Sequence, residues 1–224
     1  MSRLHFLLPL ILISPTLQAS DDSSELWTGW QHQHRLDAQW QATSDIQLRS
    51  QDGGGPWRQL IVRPSVTRTL APGFSASLGY AFVENRDSIG RQSSEHRPWQ
   101  QLQAQQALGG GQFSQRLRLE QRFLESSTGD LSSDRARVQL RFQQLVGQQG
   151  HYVAVQNEVF LHLSERDRLN GRNFDQNRLG VVAGFRLSPQ VAVEAGYLHQ
   201  LIGLRDGERV NHALTLNLVT RWAP

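Results

Sequence analysis

The chain has 224 residues, of which 38% are hydrophobic, with no cysteine and a formal net charge of +3. This length suits one sizeable domain and is short for two. The missing cysteines exclude disulfides and thiolate metal sites, and the modest net charge, with no nucleic-acid motif in the sequence, gives no basic stripe for a nucleic acid. All 23 basic residues are Arg and none is Lys. Arg, with its planar fork, pairs with carboxylates in partly dry surroundings better than Lys does, although a GC-rich genome would produce the same bias.

Residues 1–19 read as a secretory signal, with Arg3 ahead of a short apolar run from Phe6 to Ile13 and Leu17-Gln18-Ala19 before the cleavage point at Ser20. No Cys follows, so no lipid attachment is expected, and no later segment approaches the roughly 20 apolar residues of a spanning helix. The mature chain, residues 20–224, is expected to form a single domain.

From there the sequence is punctuated as a β-meander. Candidate strands fall at 25–35, 40–50, 57–69, 74–84, 96–108, 113–125, 134–146, 151–163, 174–187, 191–202 and 209–222. The alternation is plainest in Arg116 to Phe123, where Leu117, Leu119 and Phe123 oppose Arg116, Arg118, Glu120 and Arg122. A side-chain period of two is that of a strand, and no segment shows the 3.6 period of a helix. Similarly, Val138, Leu140 and Phe142 oppose Arg137, Gln139 and Arg141. Val153, Val155, Val159 and Leu161 oppose Glu158, and Leu179, Val181 and Phe185 oppose Arg178 and Arg186.

The connections differ at the two ends. Turns at Leu36–Ala38, Ala71–Gly73, Gly109–Gly111, Gly147–Gly150 and Ser188–Gln190 are short. Gln51–Pro56, Asn85–Glu95, Ser126–Ser133, Ser164–Asn173 and Gly203–Glu208 read as longer polar loops. Short turns at one end and long loops at the other is the plan of an outer-membrane barrel, whose apolar faces meet lipid while its charges fill the lumen. Strands of this length, at ~3.3 Å per residue and a ~40° tilt, cover the ~25 Å lipid band. The fold expected is an all-β, antiparallel up-and-down transmembrane barrel of ten to twelve strands. Eleven segments are visible, but the even number usual in such barrels favours twelve. Trp27, Trp30, Trp40, Trp57, Trp99 and Trp222 lie mostly near strand ends, where rings favour the membrane interface.

With the apolar faces outward, the inward set holds Arg63, Arg97, Arg116, Arg118, Glu120, Arg122, Arg137, Arg141, Glu158, Arg178, Arg186, Glu194 and Arg221. These charges either form the barrel's core as paired networks or make an anion-favouring passage or pocket, since rings of Arg select anions. Ser94 and His96 flank Glu95, and His32 and His34 share a face, but neither group is the constellation that hydrolysis or metal binding needs. No catalytic residue, metal or cofactor is therefore expected. The expected setting is the outer membrane of a Gram-negative bacterium, with its lipids and the barrel-assembly machinery as partners, no nucleic acid and a monomeric state. A lipid-modifying enzyme and a soluble periplasmic β-domain remain the alternatives.

In order along the chain, Glu25-Leu26-Trp27, Gly79-Tyr80, Glu95-His96-Arg97-Pro98-Trp99-Gln100-Gln101, Arg116 to Phe123, Asn157-Glu158-Val159-Phe160, Phe174-Asp175-Gln176-Asn177-Arg178 and Gly196-Tyr197 resemble the domain of unknown function 2490 family. The resemblance spans about Glu25 to Trp222 and implies a bacterial outer-membrane barrel. It implies no activity and supplies no functional residues.

Overall fold

The computed structural model describes residues 21–87, 89–125, 130–163 and 170–223. The signal segment 1–19, the first half of Ser126–Ser133 and much of Ser164–Asn173 lie outside them. Eleven strands are described: β1 (Asp21–Arg35), β2 (Trp40–Gln51), β3 (Trp57–Ala71), β4 (Phe74–Arg86), β5 (Gln92–Leu108), β6 (Gly111–Glu125), β7 (Leu131–Val146), β8 (His151–His162), β9 (Phe174–Arg186), β10 (Val191–Leu204) and β11 (Gly207–Trp222). Each pairs with its sequence neighbour, and β1 pairs with β11 to close the barrel.

Eleven strands correct the expectation of twelve. With an odd number, β1 and β11 both run toward the short-turn end, so the closing pair must be parallel. It is parallel, in register from Asp21↔Arg209 to His34↔Trp222, while every other pair is antiparallel. The seam is held by side chains as well as by its ladder. Ser23 Oγ donates to Asn211 Oδ1 at 2.6 Å, Trp30 Nε1 to Thr220 Oγ1 at 3.0 Å and Arg221 Nε to Gln33 Oε1 at 3.3 Å.

The loop end is tighter than its composition suggests. β4 runs to Arg86 and β5 starts at Gln92, so the connection is only 87–91. The expected loop at Gly203–Glu208 is a two-residue turn, Arg205-Asp206, between the paired Leu204 and Gly207. Polar composition misleads here because a backbone ladder continues whatever its side chains are. At the other end, Gly109 and Gly110 both have positive φ, 56° and 78°, which is the backbone of a two-residue hairpin turn that matches strand twist.

Sidedness follows the alternation. Leu78 is 66% and Leu214 62% exposed, and Leu117, Phe123, Val155, Val181 and Phe185 also face outward. Inside, Glu95, Glu120, Arg135, Arg137 and Glu158 are buried, and among the described residues Trp27, Leu198 and Ala213 form a small buried apolar cluster. The barrel is thus apolar outside and charged within. Two of the six tryptophans depart from the expected interfacial position. Trp27 and Trp99 are buried and point inward, whereas Trp30, Trp40 and Trp222 are exposed on the outer face. Trp99 fits because Gly79 lies opposite it on β4. A Cβ on Gly79 would come within 2.2 Å of the indole, so glycine makes the seat for the ring.

Candidate functional site

The lumen is built from alternate residues of every strand, and it is organised in layers along the barrel axis. At mid-height β6 contributes Glu120, which sits 2% exposed. It accepts hydrogen bonds from Arg135 Nη2 at 2.6 Å and from Arg137 Nη1 at 2.6 Å, both on β7. Arg137 also donates to Glu158 on β8 at 2.9 Å, and Arg116 reaches the same carboxylate at 2.7 Å. Toward the loop end Glu95 accepts from Arg97 and from Arg122, each at 2.5–2.6 Å. Arg135 binds Asp175 as well, at 2.7 Å. Asp175 owes its inward aim to a bulge, since Phe160 pairs with Gln176 and Leu161 with Phe174, leaving Asp175 as the extra residue.

Aromatic rings carry this layer across the lumen. Arg49 lies 3.7 Å and Arg178 5.1 Å from the Trp27 ring centroid. Arg178 and Arg137 flank Phe160 at 4.6 and 4.4 Å, and Arg118 covers Trp99 at 3.9 Å. The resulting belt connects β1 and β2 to β9 through the guanidinium of Arg178, and β9 round to β5. In a narrow barrel this charged, stacked layer takes the place of an apolar core. Buried charges are tolerated when hydrogen-bonded and paired, and guanidinium–ring contacts add to their stabilisation.

The belt divides the lumen unequally. On the loop side is a cavity of about 190 Å³ lined by Glu25, Arg58, Arg97, Arg122 and Asp175 among others. On the short-turn side are two contiguous cavities of about 570 and 500 Å³, sharing Gln31, Gln103, Arg116 and Arg118 in their walls and reaching Gly73, Phe74 and Arg221 at that mouth. In the larger one, Arg49, Arg63, Arg116, Arg118, Arg137, Arg141, Arg178 and Arg221 face only Asp45, Glu158 and Glu194. Arg63 pairs with Asp45 at 2.6 Å, and Arg141 shares Glu194 with the Tyr152 hydroxyl. Arg49 and Arg178 instead donate to the amide oxygens of Gln47, Gln59 and Gln176. Among the described residues neither makes a direct ion pair, although Arg178 lies opposite Glu158 across the β8–β9 ladder.

Of the residues singled out from sequence, Arg97, Arg122 and Glu120 fall in the belt or above it. Arg116, Arg118, Arg137, Arg141, Glu158, Arg178 and Glu194 line the larger cavity on the short-turn side. Arg186 is exposed at the short-turn end of β9, where a Cβ on Gly150 would meet its guanidinium at 3.0–3.3 Å. Sequence reasoning missed Arg49, Glu95, Arg135 and Asp175. Glu95 and Arg135 were legible in principle, because each is in phase with residues already assigned inward, Arg97 and Arg137, two positions along. Glu95 closes the expected loop Asn85–Glu95, and Arg135 is the second residue of the expected strand 134–146.

The serine and histidine candidates separate. Ser94 and His96 face outward, Ser94 donating to Glu125 at 3.2 Å and His96 bonding the Tyr80 hydroxyl. His32 and His34 also share the outer face, where His32 bonds Thr220 at 2.9 Å. A string unforeseen from sequence runs inside the loop mouth: Ser133 Oγ lies 3.3 Å from His162 Nδ1, and His162 Nε2 3.9 Å from Asp175. Its order is that of a hydrolytic triad, but Ser133 is 2% exposed, so no substrate carbonyl reaches it. Among the described residues there is no cluster of metal-ligating side chains.

Comparison with known proteins agrees with this architecture. The NanC porin superposes with a TM-score of 0.50 at 11% identity, over 80% of this chain and 87% of that one, a likeness of fold alone. An uncharacterised protein of Methylorubrum extorquens is 30% identical over 183 residues, covering 80% of this chain and 79% of its own length. The model of the family described as "Protein of unknown function (DUF2490)" matches residues 24–211, and the chain belongs to that family.

Proposed function

We propose that this chain is an outer-membrane barrel with a small-pore role, selecting anions at its short-turn side and constricted at mid-height by the Arg–Glu belt. The observation that carries the membrane reading is the inversion of sidedness. Leucine, valine and phenylalanine cover the outside while buried Arg–Glu networks fill the inside, which is stable only if the outer face meets lipid. Trp30, Trp40 and Trp222 on the outer face near the short turns suit a headgroup layer at that end. In this reading residues 1–19 are the leader for export, the assembly machinery inserts the mature chain from the periplasmic side, and the barrel works as a monomer. The charge network then has two jobs: pairing in the belt, and an uncancelled positive field below it.

Two measurements test the reading. The folded protein should sediment with the outer membrane and shift its mobility in detergent gels only after heating. Recovery as a soluble periplasmic protein would sink the proposal. Reconstituted in planar bilayers across a potassium chloride gradient, it should conduct with a reversal potential of the sign that chloride flow sets. Silent bilayers would refute the pore, and selectivity for potassium would refute its preference for anions.

A further inference from the structure

The short-turn cavity has more chemistry in its walls than a pore lining requires. Positive charge is held there on rigid supports: Arg49 stacks on Trp27 and Arg118 on Trp99, so each guanidinium presents its plane and edge in a fixed direction. Several buried donors have nothing to donate to, namely the Nε–H groups of Arg49 and Arg116 and the indole N–H of Trp99. Buried donors without acceptors cost free energy, and the side chains that carry these three also line the two cavities. Between the guanidinium groups the walls carry many primary amides, Gln103 and Gln139 among them. An amide both donates and accepts, so a wall of amides matches hydroxyl groups, whereas guanidinium forks match a carboxylate.

We infer that this cavity is a binding site for a small, hydroxyl-rich carboxylic acid of about one or two sugar units, entering from the short-turn mouth and stopped by the belt. The size follows from cavities of about 570 and 500 Å³, within the range of small-molecule sites. The direction follows from the inequality of the two sides, since the space beyond the belt is about 190 Å³. The inference rests on the pore reading for its biological sense, but the site is a property of the folded barrel alone and is tested without a membrane.

The test uses the folded barrel in detergent, verified by its heat-modifiable band, with Trp30, Trp40, Trp57 and Trp222 changed to Phe. Trp27 and Trp99 then report from within the lumen. Glucuronate is the probe, with glucose, acetate and inorganic phosphate as comparisons. Glucuronate should change the fluorescence saturably. Glucose, which lacks the carboxylate, and acetate, which lacks the hydroxyls, should each need at least tenfold higher concentration. Arg116→Gln and Arg118→Gln should weaken glucuronate at least tenfold, and Arg91→Gln, the same charge removed from an outer loop, should leave it unchanged. A response shared equally by glucose, or one that Arg116→Gln and Arg118→Gln both spare, would overturn the inference. So would phosphate binding more tightly than glucuronate, which would make the site a simple phosphate trap. Failure of the pore reading shows separately, as silent bilayers from a barrel that still binds glucuronate.

Discussion

Glu120→Gln is the most informative single change in the belt. The carboxylate accepts three short bonds, from Arg135 Nε and Nη2 at 3.1 and 2.6 Å and from Arg137 Nη1 at 2.6 Å, with Arg118 at 3.9 Å. A hydrogen bond to a charged acceptor is worth ~1.5–3 kcal/mol and a neutral one ~0.5–1.5 kcal/mol. Gln keeps the shape and one acceptor oxygen, so about 1 kcal/mol is lost per bond, or about 3 kcal/mol in all. That is near the low end of the ~3–5 kcal/mol for breaking a buried pair, because Arg135 keeps Asp175 and Arg137 keeps Glu158. The outward Leu117→Val removes one methylene from the outer face and should cost no more than ~0.8 kcal/mol. Urea unfolding in lipid vesicles, read from the fraction migrating as the folded band, compares the two directly. If Glu120→Gln falls within about 0.5 kcal/mol of Leu117→Val, an error typical of such comparisons, the belt is wet and wide, and its ion pairs do not hold the barrel.

Other consequences follow from the same geometry. Gly79→Ala should destabilise the barrel and red-shift Trp99 emission, because the new Cβ meets the indole at 2.2 Å and Ser65 Cβ at 2.7 Å. Gly184→Ala should behave likewise against the Tyr152 ring, at 2.2–2.5 Å, while Gly90→Ala, with open space around its Cβ, should leave the packing of the lumen unchanged. In the outer loop, the Arg91 side chain, together with the backbone N–H groups of Arg91 and Ile89, holds the Asp87 carboxyl below its ordinary value of 3.8. A depressed carboxylate stabilises its loop above the ordinary pKa and loses that contribution as pH falls through the lowered value. An NMR titration should therefore find Asp87 below 3.8, and Arg91→Gln should return it toward that value. Asp175→Ala should cost ~1–3 kcal/mol by removing a charged partner of Arg135, measured in the same urea assay.

Much of the barrel is legible in the sequence because alternation is strict where the outer face is apolar and the inner face charged. The start of β2, β3, β4 and β8 and the end of β1, β5 and β11 fall where the alternation and the turn residues place them. What composition conceals lies at the loop end, where both faces are wet and alternation no longer separates them. Glu95 falls in an expected loop for this reason, and Arg135 at the very start of an expected strand beside one. Asp175 is a different kind of miss, since a bulge changes the phase of a strand by one residue and no periodicity announces it. Strand parity failed for a third reason. The even count is a habit of barrels closed by an antiparallel pair, and β1 and β11 close this one in parallel.

The excess of Arg over Glu in the inward set suggests one positive lumen, but the carboxylates are not spread evenly along the axis. Glu25, Glu95, Glu120 and Asp175 lie in the belt or on its loop side, where each is within ion-pair distance of at least one guanidinium. Where the belt faces the short-turn cavity, Arg49 and Arg178 bond to glutamine amides, and Arg116 and Arg137 share the single carboxylate of Glu158. The same residue types therefore serve two purposes by position alone. Where acid and base alternate across neighbouring strands, as in β6 and β7, they close the lumen. Where glutamine replaces the acid, the charge is left to act on whatever enters. A variant converting Gln139 to Glu should thus reduce chloride selectivity, and Gln47→Glu should do so as well while pairing with Arg49, whose guanidinium Gln47 already accepts from at 3.0 Å. Conductance ratios unchanged by both substitutions would show that the field at the short-turn mouth has another source.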